Sequence, residues 1–406
     1  MKYVVVLGDG MADDPLDELK GATPLEVAVT PTMDELAKVS ELGLSANIPE
    51  GMKPGSDTAN LAVLGYYPKK YYSGRSPLEA LSIGVPMKDD DIAIRCNLVT
   101  LTEEEGIPYE KRTIIDHSSS EISTEEADVL VKALVDAGVV KAPFSLYTGT
   151  SYRHCLIWAG GKVTKLAQPH DIPDRVIGDY LPDEELLRDM MRKSYDVLND
   201  HPINIERAKK GLHKANSMWF WGAGTKPALV SFEEKTGKKG AMISAVDLLK
   251  GIAIGTGMHV EIVPGADGTL ETNYEGKAQA AVRLLKEGYD FAYVHVEAPD
   301  EMGHQGSIER KIKAIENLDS RVIKIIKEEM DAWGEPYRMM ILPDHPTPIW
   351  CRTHTSDPVP FMIYDSTAQQ KGADAYNEKT AKAAGLFIPE GYKLIDRLFE
   401  NASSAE

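Results

Sequence analysis

Cysteine is scarce. Cys96, Cys155 and Cys351 are the only three in 406 residues, too few and too scattered for a paired framework, which fits a reducing compartment. No apolar run is long enough to span a membrane. Tyr3 to Leu7 is too short for the apolar core of a secretory signal and runs straight into Asp9, so a cytoplasmic location is expected. Positive charge is in deficit as well. Forty-five Lys and Arg stand against 63 Asp and Glu, a net charge of −18, which makes nucleic acid and anionic membranes poor partners. A phosphorylated substrate would have to be met locally, by metal ions or a cluster of Lys and Arg. There is no internal repeat and no low-complexity stretch. The Gly-x-Ser-x-Gly elbow of an esterase-type triad is absent too.

What is present reads as two or three domains of α/β type. Tyr3-Val4-Val5-Val6-Leu7 has the continuous apolar character of a strand buried on both faces, and Gly8-Asp9-Gly10 leaves Asp9 at its carboxyl end. Thr30 is placed to cap a helix with Pro31 in its first turn. Pro54-Gly55 turns the chain into a helix that runs to Gly65, with Ser56 at its N-terminus, where free N–H groups favour an anion. A cap serine is the plain alternative there. From about Met87 to Gly224 the texture changes. Strands near Ile92–Val99, Tyr147–Trp158 and Asn216–Gly224 alternate with helices near 123 and over 183–199, which predicts an inserted α+β domain over 87–224. Residues 1–86 and 225–406 then form one discontinuous domain around a doubly wound, mostly parallel sheet. In it, 290–297 is a strand. Ser307 caps a long helix with Ile308, Ile312, Ile315, Leu318, Val322 and Ile325 on one stripe. Met339–Leu342 is a further strand, and 401–406 is expected to be frayed.

Three strands of this reading end alike. The first ends at Asp9, the next near Asp300 and His304, the third at Asp344-His345 with His354 in the loop beyond. In a parallel sheet all carboxyl ends lie on one edge, so these groups can converge across long stretches of chain. With the Ser56 hydroxyl they make seven, enough for two divalent ions: Asp9, Ser56, Asp344 and His345 in one set, Asp300, His304 and His354 in the other. Two such ions about 4 Å apart clamp a transferring phosphoryl group and activate a hydroxyl. Three other groups have blander readings. His295, inside a strand, is expected to be packed or hydrogen-bonded. Cys351 lacks a second cysteine to ligate with, and Asp13 and Asp14 are expected to be solvated.

Five stretches carry a family resemblance: Gly8-Asp9-Gly10-Met11, Pro54 to Asn60, Pro299 to His304, Pro343 to Pro348, and Thr353 to Phe361. In this order they resemble cofactor-independent phosphoglycerate mutase, in its shorter archaeal-type branch, a member of the alkaline phosphatase superfamily. The resemblance covers nearly the whole chain. It implies a sheet of alkaline-phosphatase type and interconversion of 3-phosphoglycerate and 2-phosphoglycerate, in glycolysis and gluconeogenesis, through a phosphoserine at Ser56. It implies two metal ions (manganese, zinc or magnesium) and no bisphosphoglycerate. The inserted domain would cover the site and hold the glycerate. By the same resemblance Lys226 and Lys250 contact the phosphate or transition state, Arg153 and His154 clamp the substrate, and His117 is a further candidate. A metal-dependent phosphomonoesterase or phosphopentomutase on the same fold is the alternative. A sulfatase is disfavoured because Thr58 and Asn60 stand where its formylglycine motif requires Pro and Arg. A non-catalytic metal or metabolite sensor would not need all seven groups.

Overall fold

A computed structural model describes residues 1–400. The tail at 401–406, expected to be frayed, lies outside them. The chain divides into two compact units, Met1–Tyr72 with Ala228–Glu406, and Ser73–Pro227. Among the described residues no helix is long and apolar enough to cross a membrane.

The first unit is built on an eight-stranded sheet. Its order is Phe387–Ile388, Glu41–Ser45, Val359–Asp365, Tyr337–Leu342, Lys2–Gly8, Phe291–Val296, Gly240–Ile243 and His259–Glu261. Lys2–Gly8 lies at the centre, parallel to both neighbours. Val4, Val5, Val6 and Leu7 are all fully buried, so both faces of this strand are covered, as its unbroken apolar run requires. Only Val359–Asp365 runs against the rest. That reversal matters for the site. A chain leaving the carboxyl end of Tyr337–Leu342 enters Val359–Asp365 at the same rim, so the whole connection 343–358 stays there.

The long helix after Ser307 is interrupted. Ser307 Oγ accepts from the Arg310 N–H and Ile308–Leu318 is regular, but Asp319–Ile323 is a turn of π-helix before Lys324–Trp333. The extra residue rotates the last segment of the helix. Ile315, Leu318 and Val322 are buried as expected, whereas Ile323 and Ile326 are fully buried and Ile325 only partly. The same turn delivers Asp319 to the helix Pro31–Ala37, whose Thr32 and Met33 N–H groups it accepts at 3.2 and 2.7 Å. Thr30, expected to cap that helix with its side chain, makes no capping bond.

Asp13 is not solvated. Its side chain is fully buried against Lys311, with the ammonium 2.8 Å from Asp13 Oδ2. The same ammonium donates to the Ala12 and Thr347 carbonyls at 3.1 and 2.8 Å, tying the first strand's exit to the loop 343–358. Asp14 does remain exposed, accepting from Trp350 Nε1 at 2.8 Å. Lys311→Met should destabilise the protein by about 3–5 kcal/mol, because it strands a buried carboxylate. Chemical denaturation measures this, and a loss below about 1 kcal/mol would contradict it.

Glu378 lies beside this pair. The residue is only partly buried, but its carboxyl points inward and accepts from Thr23 Oγ1 at 2.7 Å and the Asp13 N–H at 3.1 Å. Burial pushes that carboxyl up to about 7, above its ordinary 4.5, against the pull of those hydrogen bonds. The folded chain therefore holds a proton that the unfolded chain has already released. This contribution to stability is complete below about pH 4.5 and is lost as the pH rises through about 7. Melting temperatures between pH 5 and 8 should fall less steeply in Glu378→Gln than in the parent; equal slopes would refute this.

The second unit is antiparallel. Ile92–Leu101 is its central strand, flanked by Ser217–Thr225 on one side and Arg153–Trp158 on the other, with Phe144–Tyr147 beyond. Ile114–Asp116 pairs with the far end of the central strand. What reads in sequence as one interrupted strand over 147–158 is thus two strands folded back on each other. Helices Thr124–Asp136 and Glu185–Leu198 pack Leu130, Leu134, Leu187 and Met191 into this unit's core. The unit is wider than the expected 87–224. Helix Arg75–Ser82 packs on the strands Ile92–Leu101 and Ser217–Thr225, which draws 73–86 and 225–227 into it.

Candidate metal centre

Asp9 follows the last residue of the central strand. Asp300 and His304 sit in the helix Ala298–His304 that begins just after Phe291–Val296, and Asp344-His345 follow Tyr337–Leu342. Parallel pairing brings the three strand ends together, and the reversed strand returns His354 to the same rim. Gly10 makes the approach possible. Its φ is +59°, and a Cβ there would lie 2.5 Å from Asp300 Oδ1 and 2.8 Å from Asp300 Cα.

Two groups of side chains offer atoms within 4.8 Å of one another: Asp300, His304 and His354, and Asp9, Asp300 and His345. In the first, His304 Nε2 and His354 Nε2 stand 3.0 Å apart. They lie 3.2 and 3.4 Å from the two oxygens of Asp300. His304 Nδ1 donates to the Arg352 carbonyl at 2.9 Å, which turns Nε2 toward the carboxylate. In the second, His345 Nε2 lies 3.6 Å from Asp9 Oδ1 and 3.4 Å from Asp344 Oδ2. Ser56 Oγ is 3.2 Å from the same Nε2. Ser56 is the first residue of helix Ser56–Val63 and Gly55 is the cap, so the serine oxygen is not used as a helix cap. Asp300 is thus common to both groups, while Asp344, expected in the set with Asp9, stands 3.4 Å from His345 Nε2 but in neither group.

Electrostatics and hydrogen bonding both fit cations. Burial pushes Asp9 well above its ordinary range, and the charges of Asp344, Asp300 and Glu297 push the same way. Burial acts likewise on Asp300, but hydrogen bonds from His304 and His354 together with the attraction of His345 and His304 hold the carboxyl well below its ordinary value. Asp9 Oδ1 is buried without a hydrogen-bond partner, aimed at His345. A buried carboxylate oxygen left open among acids and imidazoles suits a hard or borderline divalent ion.

His295 is packed and bonded. Its Nε2 donates to Asp9 Oδ2 at 2.9 Å and its Nδ1 accepts from Ser244 Oγ at 3.2 Å. Burial drives its imidazole down to about 3, so it stays neutral. It occupies one Asp9 oxygen and leaves the other open. Thr347 donates to Asp300 Oδ1, and Asn60 reaches Asp344. Of these three, His295 is legible in sequence as a packed or hydrogen-bonded histidine, whereas the supports from Thr347 and Asn60 are not. Asn60 alone left a local signal, one helical turn from Ser56. Cys351 bonds the Thr353 and Pro348 carbonyls and enters neither group.

The basic candidates are each engaged locally. Lys250 pairs with Asp247 on its own helix at 3.2 Å; Lys277, bonded to the His295 carbonyl, is pushed down to about 8 chiefly by burial, with a smaller push from the Lys250 charge. In the second unit Lys226 pairs with Asp89 at 3.2 Å. Strand alternation sends Arg153 outward, near the Tyr152 ring, and His154 inward. His154 is buried, accepts from the Gly149 N–H, and is pushed down to about 4 by that burial. It is a packed histidine, not an exposed clamp. His117 is exposed, edge-on to Tyr152 and to His170. His170 meets Trp221, over which Arg95 stacks at 3.8 Å. The charges of Arg75 and Arg153 reach Arg95. This basic and aromatic cluster assembles residues from 75 to 221 and has no local sequence signature.

Acids and imidazoles gathered beside a serine hydroxyl, at the carboxyl rim of a mostly parallel sheet, define an α/β protein with a divalent-metal type of site. Residues 37–204 match the sequence profile of 2,3-bisphosphoglycerate-independent phosphoglycerate mutase. An enzyme of that name from Methanosarcina barkeri is 48% identical over 97% of this chain and 98% of its own. A probable one from Geobacter sulfurreducens is 45% identical over 98% of this chain and 100% of its own. Among solved structures, the cofactor-independent phosphoglycerate mutase of Thermoplasma acidophilum aligns with a TM-score of 0.67. It is 26% identical and covers 98% of this chain and 99% of its own. The chain belongs to the 2,3-bisphosphoglycerate-independent phosphoglycerate mutase family, which makes it an isomerase.

Proposed function

We propose that the protein interconverts 3-phosphoglycerate and 2-phosphoglycerate in the cytoplasm through a phosphoserine at Ser56, with two divalent ions and no bisphosphoglycerate primer. The observation that carries this reading is the Ser56 oxygen 3.2 Å from His345 Nε2, inside the Asp/His cluster. Asp9, Ser56, Asp344 and His345 would hold one ion, and Asp300, His304 and His354 the other, with Asp300 also within reach of the first. Manganese, zinc and magnesium all suit such ligands. When bound, the ions would acidify the serine hydroxyl and offset charge on the phosphoryl group.

The remaining chemistry belongs to the chain's own groups. Ser56 Oγ attacks phosphorus, the bond from phosphorus to the 3-oxygen of glycerate breaks, and that oxygen takes up a proton. The first-turn N–H groups of Ser56–Val63 favour the phosphoryl oxygens. Glycerate then presents its 2-hydroxyl, which attacks the phosphoserine and restores the Ser56 hydroxyl. A mutase must retain glycerate and exclude water between the two transfers. The second unit's exposed Arg153 and His117, with the nearby Arg95, suit the glycerate carboxylate, since a guanidinium fork matches it. Lys226 and Lys250 would serve the phosphate. Adding 3-phosphoglycerate to metal-stripped protein and restoring manganese or zinc tests the reading. It predicts 2-phosphoglycerate without primer, and no product under any metal would end it.

Arg153→Ala should lower mutase flux about 10- to 100-fold, the scale of a misplaced substrate. It should also release inorganic phosphate that the parent retains. Lost turnover with no free phosphate would count against a retaining role for Arg153.

A further inference from the structure

One amide sits between the serine and its neighbouring acid. Asn60, fully buried, lies one turn beyond Ser56 on the same helix. Its Nδ2 donates to Asp344 Oδ2 at 2.9 Å and to the Ser56 carbonyl at 2.8 Å. An amide can be turned over, and only this orientation sets a donor against the carboxylate; the other would set oxygen against oxygen. The two acceptors at Nδ2 set the orientation, and Tyr293 Oη, on the strand Phe291–Val296, donates to Asn60 Oδ1 at 2.5 Å and holds the amide in place.

The rest of the Asp344 carboxylate is already engaged. Its Oδ1 accepts the Gly10 N–H at 3.1 Å and the His345 N–H at 2.9 Å. A carboxylate offers about four lone-pair sites. Two on Oδ1 and one on Oδ2 are taken, which leaves one on Oδ2, on the side of His345 Nε2 at 3.4 Å.

We infer that Asn60, locked by Tyr293, is a positioning residue that limits Asp344 to a single ligating oxygen and aims it beside Ser56. This rests on the proposed metal centre. Asp9 offers a contrast, since its Oδ1 is open and only Oδ2 is held, by His295. The two acids flanking His345 are thus prepared differently, one tied at both oxygens and one at a single oxygen.

The test titrates manganese(II) into metal-stripped parent, Tyr293→Phe and Asn60→Asp by calorimetry, with folding checked by circular dichroism. Tyr293→Phe keeps the ring, leaves the buried Asn60 Oδ1 without its donor and so loosens the amide's hold on Asp344. It should weaken one of two manganese equivalents about 10- to 100-fold, the usual cost of losing an outer-shell partner, and leave the other unchanged. Asn60→Asp, which sets a carboxylate against Asp344, should weaken the same equivalent further. If that variant does not fold, Tyr293→Phe decides alone. Parent-like binding of both equivalents by Tyr293→Phe overturns the inference, and so does equal weakening of both, which marks general loosening. A parent that binds no manganese overturns the metal centre itself, a result told apart by its appearance before any substitution.

Discussion

Ser56→Ala is expected to lower mutase turnover by at least about 10⁴-fold, the scale seen when a covalent nucleophile is deleted. Fold and stability should change little. The oxygen removed caps no helix, since Gly55 is the cap and makes no side-chain bond. Its one described contact is with His345 Nε2. His345 itself is fully buried and held by its main-chain N–H to Asp344 Oδ1. The loss should therefore fall on chemistry and spare substrate binding: turnover collapses while the dissociation constant for 3-phosphoglycerate moves by less than about tenfold. Rapid-quench labelling with phosphoryl-labelled substrate gives a second reading, because the parent should carry acid-stable label and the variant none. A variant that keeps a tenth of parental turnover would show that the phosphoryl group does not pass through this oxygen.

Asp300→Asn should be nearly as severe, for a different reason. Asp300 belongs to both groups of candidate ligands. Its two oxygens face His304 and His354, and Oδ1 also takes the Thr347 hydroxyl. Replacing one oxygen by an amide nitrogen keeps the volume and removes the charge common to both groups. The variant should lose both metal equivalents and about 10³-fold or more in turnover, since several kcal/mol of charge stabilisation go with the ions. His304→Ala, which touches one group only, should keep one equivalent. Metal content after equilibrium dialysis separates the two. Two equivalents retained by Asp300→Asn at parental affinity would break the claim that this carboxylate is shared.

The legible parts of this protein are those written locally. A run such as Tyr3 to Leu7 can only be a doubly buried strand, and a strand that ends in Gly-Asp-Gly leaves its acid at the rim. Ser56 after Pro-Gly had to open a helix, and it does. The illegible parts depend on partners far away in sequence. Asp13 looks like one of a solvated pair until Lys311, on a distant helix, closes over it. Thr30 is a sound cap by local chemistry, yet Asp319 does the capping, because a π-turn carries its carboxylate there. His154 next to Arg153 looks like half of a clamp, but alternate strand residues face opposite ways and the histidine is inside.

Sequence by itself determined that acids and imidazoles would follow strand ends and that a serine would open a helix, because apolar periodicity sets where strands stop and motif order sets which side chains come next. Tertiary structure alone decided how those groups divide their oxygens. The sharing of Asp300, the His295 hold on Asp9 and the Tyr293 lock on Asn60 are contacts between elements that only strand order and one reversed strand bring together. Which lone pair stays open on a buried carboxylate is fixed by donors at about 3 Å, and no linear spacing encodes that distance.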